Sequence, residues 1–508
     1  MLTSEEFLGE GSFFLKVKHL DIRTGHPWVV VMHEADSNKY GVRAGDELVI
    51  KWDNRTTEVS VDITNNLIKE GELGVFKDVL DKSNIPENTI IDLKLAQPAP
   101  SLEAIRKKLR GHDLTYSEIH TVVSDIVHWR LDDVQLAFFL ASAFMEKGFS
   151  DEEIFYLTRA VAETGEMLGW EGVVADKHCI GGVPGNRTTP LVVAIVASLG
   201  IKIPKTSSRA VTSEGGTADV MEAIMPVELT VEKIREVVNK TNGCIVWGGA
   251  LKLAPADDRM LRVSQELSME PYSKMVVSIM AKKVAVGATH LLIDIPIGPG
   301  LKIDDYRDAL KVKKLFEFLA KKFKIKIRVN IETLKGPIGR GIGPLLEVRD
   351  IMRVLQQKDN RPLDLENRAL KLSGLLVELV GKAKKGEGQK IAKHQLVSGQ
   401  AEQKFKEIIA AQGGVPLEDS EDVVLGTEIY ELKSDKIGQV VAIDARQLIK
   451  LARLLGSPLT KSAGLYLNKT IGEQVNQGEA LATLYTVSSQ RLGLALNELT
   501  KSELYKIA

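Results

Sequence analysis

Hydrophobic and polar residues alternate along the first part of the chain, as they do in strands that bury one face. Alternating or β-rich runs occupy residues 14–20, 28–32, 47–52 and 57–63. A segment with two prolines, 97–101, follows these runs. The pattern therefore predicts a small β-rich module over residues 1–97, with a linker after it.

The pattern then changes to helical spacing, and we predict a helical domain over residues 101–168. Within it, residues 136–144 are apolar on every side, which predicts a buried helix that ends at Gly148. Ser150 and Glu153 have the spacing of a capping box at the start of the next helix. We assign helices from about 255–285 to the same domain.

From residue 170 onward, short apolar segments alternate with helical ones, which is typical of a largely parallel sheet. We therefore predict an α/β phosphate-binding domain over residues 170–340 and an α+β C-terminal domain over 341–508 that completes the α/β lobe. The predicted fold class is α/β with a helical domain. It comprises a mostly parallel central sheet flanked by helices, a small β-rich N-terminal module and an α+β C-terminal domain.

Two glycine-rich turns, residues 181–185 and 215–217, each lead into a predicted helix. A strand-like run lies within 171–176, and after the first turn Thr189 is a candidate cap while Pro190 fits the first helical position. A strand, a glycine turn and a helix N-terminus can bind phosphate, because free N–H groups and the helix dipole attract an anion. Each turn is a candidate anion-binding loop, although most glycine turns only reverse the chain.

The residues around the turns carry side chains that suit such a site. Lys177 supplies the positive charge that a phosphate dianion needs, and His178 can donate to a carbonyl or carry a proton near neutral pH. The segment 207–217 adds five hydroxyls and Arg209, which suit phosphate, ribose or base oxygens. The alternative interpretation is structural: an exposed lysine, a hydrogen-bonded histidine and a polar loop whose hydroxyls cap their own turns.

A third group of polar residues follows the second turn. Ser278 and Lys282 are four positions apart and share one helix face, from which they can hold the carbonyl oxygens of a planar base. Lys282 and Lys283 can also be read as a solvated helix surface. Adjacent Asp257 and Asp258 can bind magnesium, but such pairs more often cap a helix, so we predict no metal site.

Composition narrows the possible functions. With 67 Lys and Arg against 68 Asp and Glu, the chain has no charge excess for a nucleic acid or a membrane surface. Cys179 and Cys244 are too few for a disulfide framework or a typical structural zinc site. The first residues show no export signal, and the longest apolar runs reach about half of a membrane span. We expect a cytoplasmic protein with about three or four domains.

The motifs of these three regions form a recognisable set. They are Asp176-Lys-His-x-x-Gly-Gly-Val183, Ser208-Arg209-x-x-x-x-x-Gly-Gly-Thr217-x-Asp219-x-x-Glu222, Leu253-Ala-Pro-Ala-Asp257, Ser278-x-x-x-Lys282 and Pro337-Ile-Gly-Arg340. Together they resemble the thymidine and pyrimidine-nucleoside phosphorylase family, from about residue 101 to the C-terminus. The additional N-terminal module and residues 204–213 resemble the long subfamily, which includes AMP phosphorylases.

The resemblance implies a role for each matching residue. The residues implied in phosphate binding are Lys177, Cys179, Gly182, Thr188, Ser207 and Thr217. Those implied in catalysis at the base are His178, Glu270, Ser278, Lys282 and Arg262, with Arg259 as a second choice of arginine. Those implied in binding the rest of the substrate are Ser208, Arg209, Ala210, Val211, Thr212, Ser213 and Lys302. Glu270 stands at the position of the subfamily's proton donor, and Cys179 stands where members usually have serine, which weakens that contact.

By resemblance, the expected reaction is phosphorolysis of a pyrimidine nucleoside, thymidine first, with inorganic phosphate as co-substrate and no metal or organic cofactor. A nucleoside 5′-monophosphate such as AMP is the alternative, since Arg209 and Lys302 suit a 5′-phosphate while Glu214 would repel one. A phosphoribosyltransferase is a distant alternative that needs magnesium-binding carboxylates, for which only Asp257 and Asp258 are candidates. We expect small-molecule substrates, no nucleic acid or membrane partner, and a homodimer or larger homo-oligomer.

Overall fold

The computed structural model describes residues 12–25, 28–210, 213–266, 271–298 and 300–508. The described chain forms two compact units, one ending at Ser142 and the other beginning at Ala143. This boundary lies inside the stretch 101–168 that the sequence predicted as one helical domain. None of the described helices has the length and apolar character that a membrane crossing requires.

A closed β-barrel forms the centre of the first unit and confirms the predicted β-rich module. Its neighbouring strands, in barrel order, are β1 (Phe13–Leu20), β5 (Glu72–Phe76), β2 (Val29–His33), β4 (Arg55–Thr64), β3 (Glu47–Trp52) and β6 (Ile90–Leu95). Side chains of β1 alternate, with Phe13, Leu15 and Val17 buried and Lys16 exposed. Two short helices, α1 (Glu34–Tyr40) and α2 (Lys77–Ser83), accompany the strands.

Three helices complete the first unit: α3 (Leu102–Leu109), α4 (Tyr116–Val127) and α5 (Asp133–Ala141). A 3-10 turn, Ser142–Phe144, follows α5. The prediction that residues 136–144 form a helix buried on all sides is wrong. Leu136 and Phe139 are buried, but Phe138 is 56% exposed, because α5 packs one face on α3.

A parallel sheet lies at the centre of the second unit. The strands β11 (Lys326–Thr333), β10 (His290–Ile297) and β7 (Ala175–Cys179) are adjacent and parallel. A parallel bridge between Val174 and Lys202 continues the sheet from β7 to the parallel pair β8 (Ile203–Ser207) and β9 (Gly243–Trp247). Because parallel strands end at a common edge, the loops after them lie together.

Helices cover this sheet. In chain order they are α6 (Asp151–Glu163), α7 (Thr188–Ser198), α8 (Thr217–Met221), α9 (Val231–Thr241), α10 (Pro255–Glu266), α11 (Tyr272–Val286), α12 (Tyr306–Lys322), α13 (Pro344–Leu355), α14 (Leu363–Leu379), α15 (Gly388–Val397) and α16 (Gln400–Gln412). α7 is apolar all round and packs against α14 and α16 in the largest core. α6 begins with the predicted capping box of Ser150 and Glu153, and it packs against α10 and α11.

The C-terminal part is the predicted α+β domain. Its elements are β12 (Gly341–Ile342), β13 (Glu428–Lys433), β14 (Gly438–Ile443), α17 (Ala445–Leu455), β15 (Gly464–Leu467), β16 (Gln474–Val475), β17 (Ala480–Thr486), α18 (Ser489–Leu499) and β18 (Tyr505–Ile507), with a 3-10 turn at Ser420–Asp422. The order β12-β15-β17-β13 ties it to the α/β lobe, because β12 lies directly before α13.

We expect Gly185→Ala to destabilise the protein more than the matched change Gly381→Ala. Both glycines have positive φ, 67° and 80°, so each alanine carries a backbone cost of about 1–2 kcal/mol. At Gly185 a Cβ would also lie 2.5 Å from the carbonyl oxygen of Ile338, whereas nothing lies within 4 Å at Gly381. Thermal unfolding followed by circular dichroism measures the difference, and equal losses in the two variants would contradict it.

Candidate active site

The first glycine turn connects β7 to α7 and forms a compact polar site. Gly181 and Gly182 have φ values of 93° and 91°, which side chains other than glycine rarely adopt. Lys177 extends from β7 to the start of α7, where its Nζ lies 3.0 Å from Thr188 Oγ1 and 3.3 Å from Thr189 Oγ1. Its ammonium group therefore adds to the positive potential of the free N–H groups at that helix end.

The start of α7 differs from the prediction by one residue. The helix begins at Thr188 after Arg187, so Thr189 is not its cap. Pro190 occupies the third helical position, where its missing N–H removes no hydrogen bond because first-turn N–H groups have no partner within the helix. The two threonine hydroxyls instead accept from Lys177.

Asn186 links the end of β7 to the start of α7, a contact that the motifs did not reveal. Its Nδ2 donates to Cys179 Sγ at 3.6 Å, and Thr188 Oγ1 donates to its Oδ1 at 3.1 Å. Burial raises the pKa of Cys179, and the carboxylate of Asp294 raises it further. The thiol therefore stays protonated near neutral pH and offers a phosphate only a weak S–H donor.

Arg187 connects the two glycine turns, a contact that the sequence analysis also did not predict. Its Nη2 donates to the carbonyl oxygen of Gly215 at 2.5 Å and lies 3.6 Å from Glu214 Oε1. The Gly185 N–H donates to the same Glu214 oxygen at 3.0 Å. On the other side, Arg187 Nε contacts the carboxylate of Glu347, whose pKa burial raises well above its ordinary value despite the arginine.

The sequence predicted that Glu214 would repel a substrate phosphate, but its carboxylate faces the interior of the protein. Its side chain is fully buried and faces Gly185 and Arg187. The positive guanidinium partly offsets its charge, which weakens the expected repulsion. Sequence spacing alone could not show this, because the partner, Arg187, follows the first glycine turn, 27 positions before Glu214.

On the opposite side of the site, Ser278 and Lys282 of α11 meet one carboxylate of α10. Ser278 Oγ donates to Asp257 Oδ2 at 2.5 Å, and Lys282 Nζ lies 2.7 Å from the same oxygen. Burial alone would raise the pKa of Asp257, but Lys282 and Lys274 hold it below its ordinary value. Burial raises the pKa of the neighbouring Asp258. The shared partner fixes the serine and the lysine on one face, as their spacing predicted.

A buried ion pair connects the two sides. Lys283 Nζ donates to Asp176 Oδ2 at 2.6 Å, and both side chains are at most 1% exposed, so Lys283 is not on a solvated surface. Lys205 of β8 lies 3.6 Å from the other oxygen of Asp176, and burial lowers the pKa of Lys205 to about 7. Since β-strand side chains alternate, Asp176 faces α11 while the neighbouring Lys177 faces α7.

His178 lies on the same face of β7 as Asp176. Burial lowers its pKa well below 6.5, and the charges of Lys283, Lys205 and Lys177 lower it further. The imidazole is therefore neutral at pH 7 and can donate or accept a hydrogen bond, but it carries no transferable proton as an imidazolium there. A neutral imidazole still carries one N–H, so the role of His178 at the base stays a prediction.

The remaining predicted residues lie around the second glycine turn and the next loop. Ser207 ends β8 and Thr217 begins α8. Arg209 is bound to Glu222 at 2.6 and 2.8 Å, which raises its pKa, and its guanidinium lies 4.6 Å from the Trp247 ring centre. Its role in substrate binding stays a prediction.

Residues close to Arg209 in the sequence also form hydrogen bonds around the second glycine turn. The Ala210 N–H donates to Asp219 Oδ2 at 2.6 Å, and Ser213 Oγ donates to the Gly215 carbonyl at 2.8 Å. Ser208 offers its carbonyl to the Ala218 N–H at 3.4 Å. The backbone at Ser208 and Ala210 and the side chain of Ser213 are thus each fixed by a hydrogen bond.

Lys302 packs over the first glycine turn: a Cβ at Gly182 would lie 3.0 Å from its backbone nitrogen and 3.5 Å from its Cγ. Arg262 lies on α10 with Asp257. Glu270, Val211 and Thr212 lie outside the described residues.

A further buried ion pair, which the sequence analysis did not predict, lies beside the end of β7. Asp294 pairs in register with Cys179 and accepts both 2.8 Å bonds from Arg368 of α14. Asn330 Nδ2 also donates to Asp294 at 3.0 Å. The sequence could have indicated this pair, because Asp294 is the single carboxylate of β10, whose other residues after His290 are apolar.

Three parts of the chain match known family descriptions. Residues 102–165 match the glycosyl transferase family helical bundle domain, 171–402 the a/b domain of that family, and 439–506 the pyrimidine nucleoside phosphorylase C-terminal domain. A "putative thymidine phosphorylase" of Legionella pneumophila (strain Paris) is 40% identical over 486 residues, 95% of this chain and 93% of that one. The chain belongs to the thymidine and pyrimidine-nucleoside phosphorylase family. Its members also include the AMP phosphorylase of Methanocaldococcus jannaschii, 39% identical over 483 residues and 95% of both chains.

Membership of this phosphorylase family makes the chain a pentosyltransferase. Among solved structures, anthranilate phosphoribosyltransferase from Thermus thermophilus has a TM-score of 0.51 and 18% identity. The similarity covers 61% of this chain and 99% of that one, and it shows a shared fold. The fold class predicted from the sequence is thus confirmed, including the helical bundle and the C-terminal domain.

We expect Glu214→Gln to raise the KM for inorganic phosphate about threefold to tenfold, or roughly 1 kcal/mol. The amide keeps an oxygen for the Gly185 N–H but removes the charge that faces Arg187. Initial rates of base release at varied phosphate measure it. Glu421→Gln, which removes a carboxylate from Arg353 instead, is the control and leaves this KM unchanged. An unchanged phosphate KM in Glu214→Gln would mean that the contact does not shape the phosphate site.

The lowered pKa of His178 has a consequence for the pH profile. Because the free enzyme holds a neutral imidazole, His178→Gln lowers kcat/KM but leaves its pH dependence between pH 6 and 8 parallel to that of the wild type. Base-release rates across this range check the expectation. It fails if the wild type shows an acid limb near pH 6.5 that disappears in the variant.

Proposed function

We propose that this chain catalyses phosphorolysis of the N-glycosidic bond of a nucleoside-type substrate. The observation that carries the proposal is the Asp176–Lys283 ion pair. It links strand β7, which also carries Lys177, to helix α11, which also carries Lys282. Lys177 belongs to a phosphate cradle, and Lys282 belongs to a base-binding face. A site with both groups in one lobe suits a reaction that brings phosphate and a nucleoside together.

The bond changes are simple. A phosphate oxygen bonds to the anomeric carbon, and the glycosidic C–N bond breaks with its electron pair remaining on the base. Lys282, Ser278 and neutral His178 stabilise the charge that develops on the base, while Glu270 is the candidate proton donor. Holding both reactants in one site contributes up to roughly 7–11 kcal/mol in well-aligned systems. The products are a free base and a sugar 1-phosphate.

The first candidate substrate is a pyrimidine nucleoside, thymidine above others, which gives thymine and 2-deoxyribose 1-phosphate. The name of the Legionella relative and the pyrimidine-type C-terminal domain support it. We propose that inorganic phosphate is the co-substrate, that no metal or organic cofactor takes part, and that the enzyme acts as a homodimer or larger homo-oligomer on small molecules, without a nucleic acid or membrane partner.

A nucleoside 5′-monophosphate is the second candidate, and one observation favours it. The negative charge of Glu214, which argued against a nearby 5′-phosphate, is buried against Arg187. The name of the Methanocaldococcus relative agrees with this candidate. A phosphoribosyltransferase has less support, because Asp257 Oδ2 is engaged by Ser278 and Lys282.

Chromatography of free base from thymidine, uridine, cytidine, AMP, CMP and UMP, with and without phosphate, tests the proposal. Phosphate-dependent release from any of them supports phosphorolysis, and the substrates that react separate the two candidates. Base release that instead requires magnesium and pyrophosphate, and stops with EDTA, would indicate a phosphoribosyltransferase. No release from any substrate would overturn the proposal.

We expect Lys177→Ala and Lys282→Ala each to reduce kcat/KM by about 10²–10⁴-fold, because each removes the positive charge from one half of the site. Lys313→Ala removes a partly exposed lysine of α12 that pairs with Glu317, and this matched control keeps full activity. Circular dichroism checks that each variant is folded, and Lys177→Met preserves side-chain bulk in the buried position. Full activity in a folded Lys177 or Lys282 variant would overturn that residue's assignment.

A further inference from the structure

A short segment of the C-terminal domain holds the second glycine turn in place. Arg453 of α17 donates to the carbonyl oxygen of Ser213 through Nε at 3.2 Å and Nη2 at 2.8 Å. Ser457 Oγ donates to the carbonyl oxygen of Glu214 at 2.9 Å. Lys461 Nζ lies 3.1 Å from the Asp219 carbonyl oxygen. The C-terminal domain therefore contacts Ser213, which is implied in substrate binding, and its neighbours Glu214 and Asp219.

The other end of the same helix reaches the loop that carries Lys302. A Cβ at Gly300 would lie 3.8 Å from Arg446 Nε, and Lys302 itself packs over Gly182. Arg446 and Arg453 are seven positions apart, so they lie on one face of α17 about 10 Å from each other. This face of α17 thus spans the distance between the two substrate loops.

A basic cavity of about 450 Å³ lies along this face, between α17 and α18. Arg446, Lys450, Arg453 and Arg491 line it together with three aliphatic side chains, and no carboxylate is among the described lining residues. Lys450 pairs with Glu498 at 2.7 Å, and Arg491 donates to the Leu454 carbonyl at 3.2 Å. Arg446 is exposed, and among the described residues no carboxylate lies within ion-pair distance of it.

We propose that α17 completes the substrate site and that Arg446 binds the 5′-phosphate of a nucleoside 5′-monophosphate. This inference rests on the proposed phosphorolysis and selects the nucleotide over the free nucleoside. A guanidinium next to the Lys302 loop provides a forked donor for a phosphate dianion. Arg453 is a positioning residue, since its guanidinium is bound to the backbone of Ser213. The cavity has the volume of a small-ligand site, which suits a sugar phosphate and not a polymer.

Binding without turnover is the first test. Calorimetric titration of the full chain with AMP, CMP and UMP, and with adenosine, cytidine and uridine, is run at fixed salt and without inorganic phosphate. We expect the wild type to bind at least one monophosphate more than tenfold more tightly than its nucleoside. Equal Kd values for each pair would overturn the proposal, whether or not base release from nucleosides supports phosphorolysis.

Single substitutions of individual arginines provide the second test. Arg446→Gln is expected to raise the Kd for that monophosphate about 10- to 100-fold and to leave the nucleoside Kd unchanged. Arg446→Lys, which keeps the charge, recovers part of the loss. Arg106→Gln, at an exposed arginine of α3 outside this cavity, is the control of equal charge change and alters both Kd values less than about threefold. Equal effects of Arg446→Gln and Arg106→Gln would overturn direct contact with Arg446.

The two proposals fail in different ways. If no base is released from any substrate but the binding preference and its loss in Arg446→Gln are found, phosphorolysis fails and the 5′-phosphate site stands. If thymidine releases base with phosphate and the wild type has no preference for monophosphates, phosphorolysis stands and the 5′-phosphate site is overturned.

Discussion

The buried ion pair between Asp176 and Lys283 is the contact on which the geometry of the site depends. It joins the central strand β7 to α11 at 2.6 Å, with both groups almost completely shielded from water. Losing one partner of such a pair leaves an unpaired buried charge, at a cost of about 3–5 kcal/mol. The ion pair therefore holds β7 next to α11, and with them the adjacent residues Lys177 and Lys282.

Successive side chains of β7 point to opposite faces of the strand, so its polar groups are divided between these two faces. Asp176 and His178 point toward α11, and Lys177 and Cys179 point toward the glycine turn and α7. Four consecutive residues thus face α11 and α7 in turn, the two sides to which the proposed function assigns the base and the phosphate. The concentration of lysines around Asp176 also explains why His178 is neutral, since their charges add to the effect of its burial.

Local patterns in the sequence predicted much of this arrangement. The capping box at Ser150, the strand at Glu47–Trp52 and the first glycine turn depend on neighbours within a few residues, and each is found where the pattern placed it. The partners of Glu214 and Arg187 come from distant elements, so no spacing could reveal them. The exposed half of α5 was missed for a related reason, because an apolar helix does not specify how many of its faces find a partner.

The contact between Ser213 and Arg453 joins residues that are 240 positions apart. During synthesis, the ribosome adds this length in roughly 12–48 s at about 5–20 residues per second. Throughout that interval the second glycine turn has already been made, while the helix that binds its backbone does not yet exist. The contact therefore forms in two stages, because the turn is made first and α17 follows only after all the intervening strands and helices have been made.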